Sequence, residues 1–510
     1  MRNRDPSPVL RLSAGFTLCV SCFVFSAAAV KATGEPTGTG ESPDVLIILV
    51  DDLGYNDNSL QAESAVDTPN LERLADQGIV FEQGYVTHSY CGPSRAGLLT
   101  GRHQARFGME TNPAYSPYDQ YHGLPLEEIT IAERMADAGY RTGIIGKWHL
   151  GAAPEFHPLS RGFEEFFGFL SGGHNYFKVD FTAAQRKNGQ LLYSPIEGEL
   201  LPLNDGRSAT GFEGYLTDVL TDKAIEFIES PDQRPYFLYV AYNAPHGPLQ
   251  APAELIEKYR DKGGGARSTY LAMIDSLDSN IGRILRALED SGKRDNTLVF
   301  FLGDNGGTYP TLQNPSETWA DNTPLRAGKG SFYEGGIRVP FIGSWPARWP
   351  QGERYDPMVS SLDIATTALA AAGEALDNEG SLDGKNLTLF LNGLADGVPH
   401  DYLFWRSPYN NAFAIRTDRY KLLRNGAVGS EIELYNIVAD PSEETDLFIS
   451  QTDTARELAE TWNVWNRSNQ RNRTMEAFHY QKVRDQFFRE QAEQLVERAN
   501  RKAPVQIYIE

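Results

Sequence analysis

The run DVLIILV at residues 44–50 has no polar residue after its first position and stops at two consecutive aspartates, Asp51 and Asp52. A continuous apolar run rich in β-branched residues is typical of a strand buried on both faces. The same pattern recurs in YRTGIIGKWH, PYFLYVAYNAPHGP and TLVFFLGDNGG, with stretches of helical spacing such as residues 268–290 between strands. This alternation predicts an α/β fold, with a large, mostly parallel sheet flanked by helices.

The polar residues at the four strand ends are the first candidates for function. In open α/β sheets, ligands bind where the carboxyl ends of parallel strands meet, so we expect these side chains to form one site. The set consists of Asp51 and Asp52, Lys147 and His149, His246, and Asp304 and Asn305.

The acidic members of this set offer only oxygen ligands. Carboxylate and amide oxygens suit a hard divalent cation, Ca²⁺ or Mg²⁺, better than zinc, which favours nitrogen and sulfur. These ligands would come from Asp51, Asp52, Asp304 and Asn305. Asp-Asp and Asp-Asn pairs also occur as turn residues that cap helices. Because two such pairs each follow a buried strand, we favour a metal site.

The basic candidates could bind a tetrahedral anion. Lys147 follows the apolar stretch GIIG, Lys329 lies in the glycine-rich RAGKGSFYEGG, and Arg95 could add bidentate hydrogen bonds. His149 and His246 could act as acid/base groups near neutral pH. The ordinary alternatives are solvated surface lysines and loop histidines bonded to backbone.

Cys91 stands alone, because Cys19 and Cys22 lie inside a short N-terminal apolar run that we expect to be removed. It then has no partner for an internal disulfide. Pro93 fits the first turn of a helix, which would place Cys91 at the positive end of the helix dipole. That position would lower the pKa of the thiol, or stabilise another anionic nucleophile on the same carbon. A buried cysteine without a function is the ordinary alternative.

The N-terminus has the pattern of an export signal. Arg2, Arg4 and Arg11 precede FTLCVSCFVFSAAAV, which ends in small residues and is short for a membrane span. We expect a signal peptide over residues 1–29, a linker over residues 30–43, and a periplasmic or secreted mature protein without a membrane span. The formal net charge of −21 disfavours nucleic acid as a partner.

The pattern of the sequence changes near residue 400. DYLFWRS, NAFAIRTDRYKLLRN and EIELYNIVADP predict a small antiparallel sheet, and residues 453–500 are polar with helical spacing. We therefore predict a first domain over residues 44–399, which carries the candidate site, and a C-terminal α+β subdomain with a helical tail over residues 400–510.

Together these motifs resemble those of the type I sulfatases, the formylglycine-dependent branch of the alkaline phosphatase superfamily. CGPSRAGLLTG fits the pattern C-x-P-S-R-x-x-x-L-T-G, and GYRTGIIGKWH fits the second signature of the family. VDDLGY, APHGP, GDNGG and GKGSFYEGGIRVP occur in the order of the family, and the resemblance extends over about residues 44–450.

The resemblance implies that Cys91 is oxidised to Cα-formylglycine by a formylglycine-generating enzyme or an anaerobic sulfatase-maturating enzyme. The hydrated aldehyde, a geminal diol, would attack the sulfur of a sulfate ester and form a sulfated enzyme intermediate. The resemblance also implies a metal ion, with Ca²⁺ expected before Mg²⁺. The ligands would be Asp51, Asp52, Asp304, Asn305 and the formylglycine oxygen.

The resemblance assigns further roles around the sulfate group. Lys147 and Lys329 would bind sulfate, and Arg95 would hold the diol and the metal site. His246, aided by Lys329, would protonate the leaving alcohol. His149 would deprotonate the second hydroxyl of the diol, so that sulfate is expelled and the aldehyde is restored.

One family position stays open in this chain. Ser171, His174 or Asn175 could complete the sulfate pocket, and His174 could instead contact the sugar. Arg102 could line the same pocket or form an ordinary salt bridge.

The expected function is hydrolysis of sulfate esters in a carbohydrate. The substrate would be a sulfated polysaccharide or oligosaccharide, such as an algal galactan of the carrageenan type, with glycosaminoglycan esters as a further option. A phosphate or phosphonate monoester hydrolase of the same superfamily is an alternative, disfavoured because the ligand set fits a single metal. A non-catalytic protein that binds sulfated glycans is another, disfavoured because no catalytic residue of the pattern is missing.

Overall fold

The computed structural model describes residues 42–61, 63–178, 186–187, 190–191, 203–311, 315–376, 381–408, 411–426 and 430–474. The expected signal peptide, nearly all of the expected linker and the tail beyond residue 474 lie outside these ranges. Within them, no helix combines the length and the apolar character needed to cross a membrane.

The strands and helices follow the order expected from the sequence. The strands are β1 (Asp44–Val50), β2 (Ile79–Phe81), β3 (Gly84–Tyr85), β4 (Arg141–Lys147), β5 (Glu165–Phe169), β6 (Arg186–Lys187), β7 (Gln190–Leu191), β8 (Leu203–Asp205), β9 (Ser208–Thr210), β10 (Tyr236–Ala241), β11 (Thr297–Gly303), β12 (Phe341–Ser344), β13 (Glu353–Tyr355), β14 (Val359–Ser360), β15 (Leu403–Ser407), β16 (Ala412–Arg416), β17 (Tyr420–Arg424) and β18 (Glu433–Asn436). The helices are α1 (Pro69–Asp76), α2 (Cys91–Thr100), α3 (Ile131–Asp137), α4 (Leu216–Ile228), α5 (Ala253–Lys258), α6 (Gly265–Asp290), α7 (Glu334–Ile337), α8 (Leu362–Ala371), α9 (Leu387–Leu391) and α10 (Thr452–Arg467).

Ten strands form one sheet, in the order β13-β2-β12-β11-β1-β10-β4-β5-β8-β9. The strands in its middle, β11, β1, β10, β4 and β5, are parallel, and β12 and β8 pair antiparallel on either side of them. This arrangement confirms the predicted α/β fold with a large, mostly parallel sheet.

Helices cover both faces of the sheet, as β1 shows. Val45, Ile47 and Leu49 enter one hydrophobic core, which also contains residues of α2, α3 and α8. The alternate residues, Leu46 and Ile48, enter a second core with residues of α4 and α6. A strand buried on both faces has no polar side to expose, and this explains the unbroken apolar run.

The C-terminal part contains a second, antiparallel sheet of four strands, in the order β15-β16-β17-β18. Helix α10 packs on one face through Ala455 and Leu458. On the other side, the indole of Trp405 in β15 donates a hydrogen bond to the carbonyl of Val86 (2.7 Å). The predicted small antiparallel sheet is confirmed, and the predicted boundary at residues 399–400 stays a prediction.

Candidate active site

The four strand ends singled out in the sequence lie side by side. β11, β1, β10 and β4 are neighbours in the sheet, and their carboxyl ends lead into Asp304, Asp51, His246 and Lys147. The ends are also tied by backbone, since the N–H of Asp304 donates to the carbonyl of Val50 (2.9 Å). The carboxyl ends of these four strands therefore bring acids, a base and a cation into one site.

Cys91 begins helix α2 and points into this edge. The N-cap residue, Tyr90, has extended backbone and provides no side-chain cap. The N–H of Gly92 donates instead to Asn112 Oδ1 (2.8 Å), which comes from a distant loop. The thiol is buried and lies 3.4 Å from Asp51 Oδ1. The predicted position at a helix start is confirmed.

The expected low pKa of the Cys91 thiol is wrong for the unmodified chain. Burial, and after it the charges of Asp304 and Asp51, raise the pKa far above its usual value. The helix dipole is a partial charge, and full carboxylate charges at close range outweigh it. An unmodified thiol here is a poor nucleophile.

The acidic residues form a cluster that fits a divalent cation. Asp51, Asp52, Cys91 and Asp304 each place one ligand atom so that all four lie within 4.8 Å of one another. Asp304 Oδ1 and Asn305 Oδ1 are buried and have no hydrogen-bond partner among the described residues. Burial and the charge of Asp51 raise the pKa of Asp304 to about 7. Buried carboxylate and amide oxygens without a hydrogen-bond donor suit Ca²⁺ or Mg²⁺.

Arg95 and Lys147 form ion pairs with the acidic cluster. Arg95 donates from Nε and Nη2 to Asp304 Oδ2 (2.9 and 2.8 Å) and from Nη1 to the carbonyl of Lys147 (3.0 Å). The ammonium group of Lys147 pairs with Asp51, and both side chains are fully buried. Burial alone would raise the pKa of Asp51, but Lys147, His246 and Arg95 together hold it well below its usual value.

Lys329 approaches the cluster from the glycine-rich loop. Its Nζ donates to Asp52 Oδ2 (2.8 Å). The backbone N–H of Lys329 donates to the carbonyl of Gly307, and that of Gly330 to the carbonyl of Ser89, each at 2.9 Å. The loop therefore joins the end of β11 to the segment before Cys91, and it fixes the lysine between them.

The two histidines differ in their surroundings. His149 has a positive φ of 59°, and both of its ring nitrogens are buried without a hydrogen-bond partner in the described part of the chain. Burial, and then nearby cations, hold the pKa of His149 well below its usual value, so the ring is neutral and can accept a proton. His246 Nδ1 lies 2.7 Å from the carbonyl of Gly247, and Nε2 faces Asp52 Oδ2 at 3.7 Å.

The residues proposed to complete the pocket make mostly local contacts. Ser171 Oγ donates to the carbonyl of Gly173 (2.8 Å), and His174 Nδ1 lies 2.9 Å from the carbonyl of Asn175. The His174 ring packs against Phe169 at a centroid distance of 5.2 Å. Asn175 Oδ1 is buried and, among the described residues, has no hydrogen-bond partner. Of the three, only Asn175 offers a polar atom that the described structure leaves unused.

Arg102 follows the C-terminal end of α2, whereas Cys91 begins that helix. Ten helical residues span about 15 Å. The Arg102 guanidinium donates to Glu128 Oε1 (2.8 Å) and Oε2 (2.5 Å). The structure therefore shows the ordinary salt bridge, and we assign Arg102 no role at the sulfate pocket.

Sequence reasoning missed the tyrosines whose hydroxyls bind the backbone of the site. The hydroxyl of Tyr176 lies 2.7 Å from the carbonyl of Asn243 and 2.8 Å from that of His246. The hydroxyl of Tyr270 donates to the carbonyl of Asp52 (2.8 Å). No motif marks these tyrosines, because each contacts backbone far away in the chain.

Comparisons with known proteins agree with this geometry. Residues 43–374 match the family model Sulfatase, and residues 328–467 match the model N-sulphoglucosamine sulphohydrolase, C-terminal. The N-acetylgalactosamine-6-sulfatase of Canis lupus familiaris is 35% identical over 375 residues, 71% of this chain and 68% of the relative. Arylsulfatase A of Homo sapiens is 35% identical over 398 residues, 74% of each chain.

Among solved structures, the crystal structure of Ps i-CgsB in complex with k-i-k-neocarrahexaose is similar to this chain. The two are 33% identical with a TM-score of 0.76, over 88% of this chain and 98% of that one.

Proposed function

The chain belongs to the sulfatase family, as a type I sulfatase of the alkaline phosphatase superfamily and thus a sulfuric ester hydrolase, and we propose that its substrate is a sulfated carbohydrate. We infer a galactan of the carrageenan type. The support is the likeness to a structure that holds a neocarrahexaose, which extends over 98% of that chain. Glycosaminoglycan esters are the second candidate, since the relatives include N-acetylgalactosamine-6-sulfatases.

The observation that carries the proposal is the convergence of a buried Cys91 with three aspartates and three cations. The aspartates are Asp51, Asp52 and Asp304, and the cations are Arg95, Lys147 and Lys329. Three negative and three positive charges nearly cancel. A bound divalent cation would make the pocket positive and able to attract a sulfate ester, although the chain as a whole carries a net charge of −21.

We place formylglycine at Cys91 and a metal ion, Ca²⁺ before Mg²⁺, on the cluster of Asp51, Asp52, Asp304 and Asn305. When both are present, the hydrated aldehyde supplies the nucleophilic hydroxyl and the cation withdraws charge from the sulfate oxygens.

The chain's own residues would then orient sulfate and move protons. Lys147 and Lys329, which pair with Asp51 and Asp52, would bind the sulfate oxygens. His246 donates from Nδ1 to a backbone carbonyl, so Nε2 carries a proton only in the imidazolium form. In that form His246 would give the Nε2 proton to the leaving oxygen. His149, neutral and without a partner among the described residues, would accept the proton of the nucleophilic group in the release step.

Sulfate release from a panel of defined sulfated oligosaccharides tests the proposal. Protein produced with a maturating enzyme should release sulfate, and the Cys91→Ala variant should not. Mass spectrometry of the peptide that contains residues 91–95 should show conversion of Cys91 to formylglycine in the active preparation only. Dominant turnover of matched phosphate esters would favour the phosphohydrolase alternative. Binding of glycans by fully converted protein without sulfate release would favour the non-catalytic alternative.

We also propose that the protein is exported through the signal peptide expected at residues 1–29. Detection of the mature N-terminus near residue 30 in the periplasm or medium would support this, and recovery of the uncleaved chain from the cytoplasm would contradict it.

A further inference from the structure

A loop of residues 112–124, here the tyrosine loop, is fixed at both ends beside the reacting centre. Its first residue accepts a hydrogen bond from the N–H of Gly92 (2.8 Å), which directly follows Cys91. Its last residue donates from its N–H to the carbonyl of Leu150 (2.9 Å), which directly follows His149. The loop therefore borders the site between the candidate nucleophile and the candidate base.

The tyrosine loop exposes large aromatic side chains. Tyr118 is 89% exposed and Tyr121 is 84% exposed, the highest values for aromatic side chains in the described ranges. A third tyrosine of the loop, Tyr115, is mostly buried, and Tyr118 is close enough to contribute to the rise in the pKa of its hydroxyl. Scattered apolar side chains on a surface need no explanation, but two open aromatic rings on a loop whose two ends contact the site form a candidate binding surface.

Hydrogen bonds hold the middle of the loop in a turn. Asp119 Oδ1 accepts hydrogen bonds from the N–H of Tyr121 (2.9 Å) and of His122 (3.2 Å), and its Oδ2 pairs with His122 Nδ1 (2.5 Å). Gln120 Nε2 donates to Glu155 Oε1 (3.1 Å). Rings carried on a pre-organised turn lose little entropy on binding, so they bind flat partners efficiently.

The charges of the loop restrict the partner. Its sequence, NPAYSPYDQYHGL, contains no Lys or Arg. The one histidine is tied to Asp119, and Glu155 adds a further negative charge beside the loop. A second sulfate group against the loop would meet these two carboxylates, and no lysine or arginine of the loop itself would neutralise it.

We propose that the tyrosine loop is a subsite for an uncharged sugar next to the sugar whose sulfate is cleaved, with the ring faces of Tyr118 and Tyr121 as its floor. This inference rests on the proposed carbohydrate substrate and adds a selection rule to it. Neighbouring sugars without sulfate are accepted, and neighbouring sugars with sulfate are disfavoured.

The test is calorimetric binding to full-length protein in which Cys91→Ala blocks turnover. The probes are a neutral galacto-oligosaccharide, its form with one sulfate, and its form with sulfate on adjacent sugars. The double variant Tyr118→Ala/Tyr121→Ala should bind the singly sulfated probe at least about tenfold more weakly, since stacking on one aromatic side chain is worth about 1–3 kcal/mol in other systems. The matched control, Leu394→Ala, removes a side chain that is 71% exposed on the C-terminal part and should change nothing.

Equal affinity of the double variant and its parent would overturn the inference, as would tighter binding of the probe with adjacent sulfates. Circular dichroism checks that the variants fold. With Cys91 intact, the tyrosine substitutions should lower kcat/KM on the singly sulfated oligosaccharide much more than on a small aryl sulfate. Failure of the proposed function looks different, because sulfate release would then be absent from every substrate, whereas binding of the neutral probe would still depend on the tyrosines.

Discussion

Two residues of the site, Asp52 and His149, have positive φ angles of 64° and 59°. Side chains other than glycine rarely adopt this conformation, and it costs of order 1–3 kcal/mol for each residue. Each residue lies two positions after the end of a buried parallel strand, whose pairing can hold the strained backbone in place. At the scale of the residue, the sheet thus holds Asp52 and His149 in a backbone conformation that these residue types rarely adopt.

Lys329 gives a direct test of the sulfate pocket. The Lys329→Gln variant should lose about 10²–10³ in kcat/KM, the usual effect of removing one group that stabilises developing negative charge. Steady-state kinetics on the best oligosaccharide of the panel measures it. The matched control is Lys223→Gln, which removes an exposed lysine paired with Glu226 and should keep full activity. A loss below tenfold for Lys329→Gln would contradict the assigned role.

Glu443 should make stability depend on pH. Burial, and the charge of Glu334, raise its pKa from 4.5 to about 7 in spite of Lys421. A carboxyl with a raised pKa binds its proton more tightly in the folded chain, so this contribution to stability is lost as pH rises from about 4.5 to about 7. Glu443→Gln cannot titrate. The melting temperature of Glu443→Gln minus that of the parent chain should therefore increase from about pH 4.5 to about pH 7. Thermal unfolding at a series of pH values measures this difference. A constant difference would rule this out.

Individual site residues were predictable where strand ends and motifs coincide. Asp51, Lys147 and Asp304 each follow a buried strand, so their convergence follows from the parallel sheet alone. The low thiol pKa expected for Cys91 was wrong, because the helix start was visible in the sequence, whereas burial of the thiol, the largest cause of its raised pKa, was not. Tyr176 was missed because a hydroxyl that binds backbone leaves no local pattern.

At the scale of elements, a buried network of ion pairs links the C-terminal sheet to the glycine-rich loop that carries Lys329. Lys421 Nζ in β17 lies 2.9 Å from a carboxylate oxygen of Glu334 and 2.9 Å from one of Glu443. The hydroxyl of Tyr85 donates to the other oxygen of Glu334 (2.7 Å). Glu334 begins α7, five residues after Lys329, so the C-terminal sheet supports the loop that carries Lys329.

Removal of Lys421 should therefore disturb both stability and the site. The Lys421→Met variant removes the cation nearest to both carboxylates and leaves Glu334 only the more distant Arg338 and Arg416 (3.7 and 4.0 Å). Removing one partner of a buried ion pair costs about 3–5 kcal/mol of unfolding free energy. Denaturant unfolding measures it, and kcat/KM should fall together with it. Lys258→Met breaks a half-exposed pair with Asp275 and should cost no more than about 1 kcal/mol. Equal effects of the two substitutions would contradict the network's role.

The elements themselves were predictable where their hydrophobic period is long. The helix expected at residues 268–290 is α6, Gly265–Asp290. The segment IVFEQGYV at residues 79–86 has the composition of a single strand. It divides into β2 and β3, and β3 pairs with β14 in a separate small sheet. The strand order could not be read from the sequence, because β1 pairs with β10 and β11, which lie far along the chain.

At the scale of the whole molecule, the metal should act as a stabilising ligand. A cation that binds only the folded chain adds stability in proportion to the logarithm of its concentration above Kd. Chelation with EDTA should lower the melting temperature and abolish sulfate release, and Ca²⁺ should restore both better than Mg²⁺. The Asp304→Asn variant should show little response of its melting temperature to EDTA. If the parent chain, without substitutions, melts at the same temperature with and without EDTA, the proposed metal site is contradicted.

The burial of Cys91 also limits when a modifying enzyme could reach its side chain. The folded chain leaves it only 1% exposed, so a modifying enzyme can reach it only before the sheet closes. β1 gains its second neighbour, β11, only when a segment about 200 residues after Cys91 has been made. At roughly 5–20 residues per second, synthesis of that stretch takes on the order of ten seconds or more. The long interval between paired strands would therefore act as a timer that keeps Cys91 accessible until folding buries it.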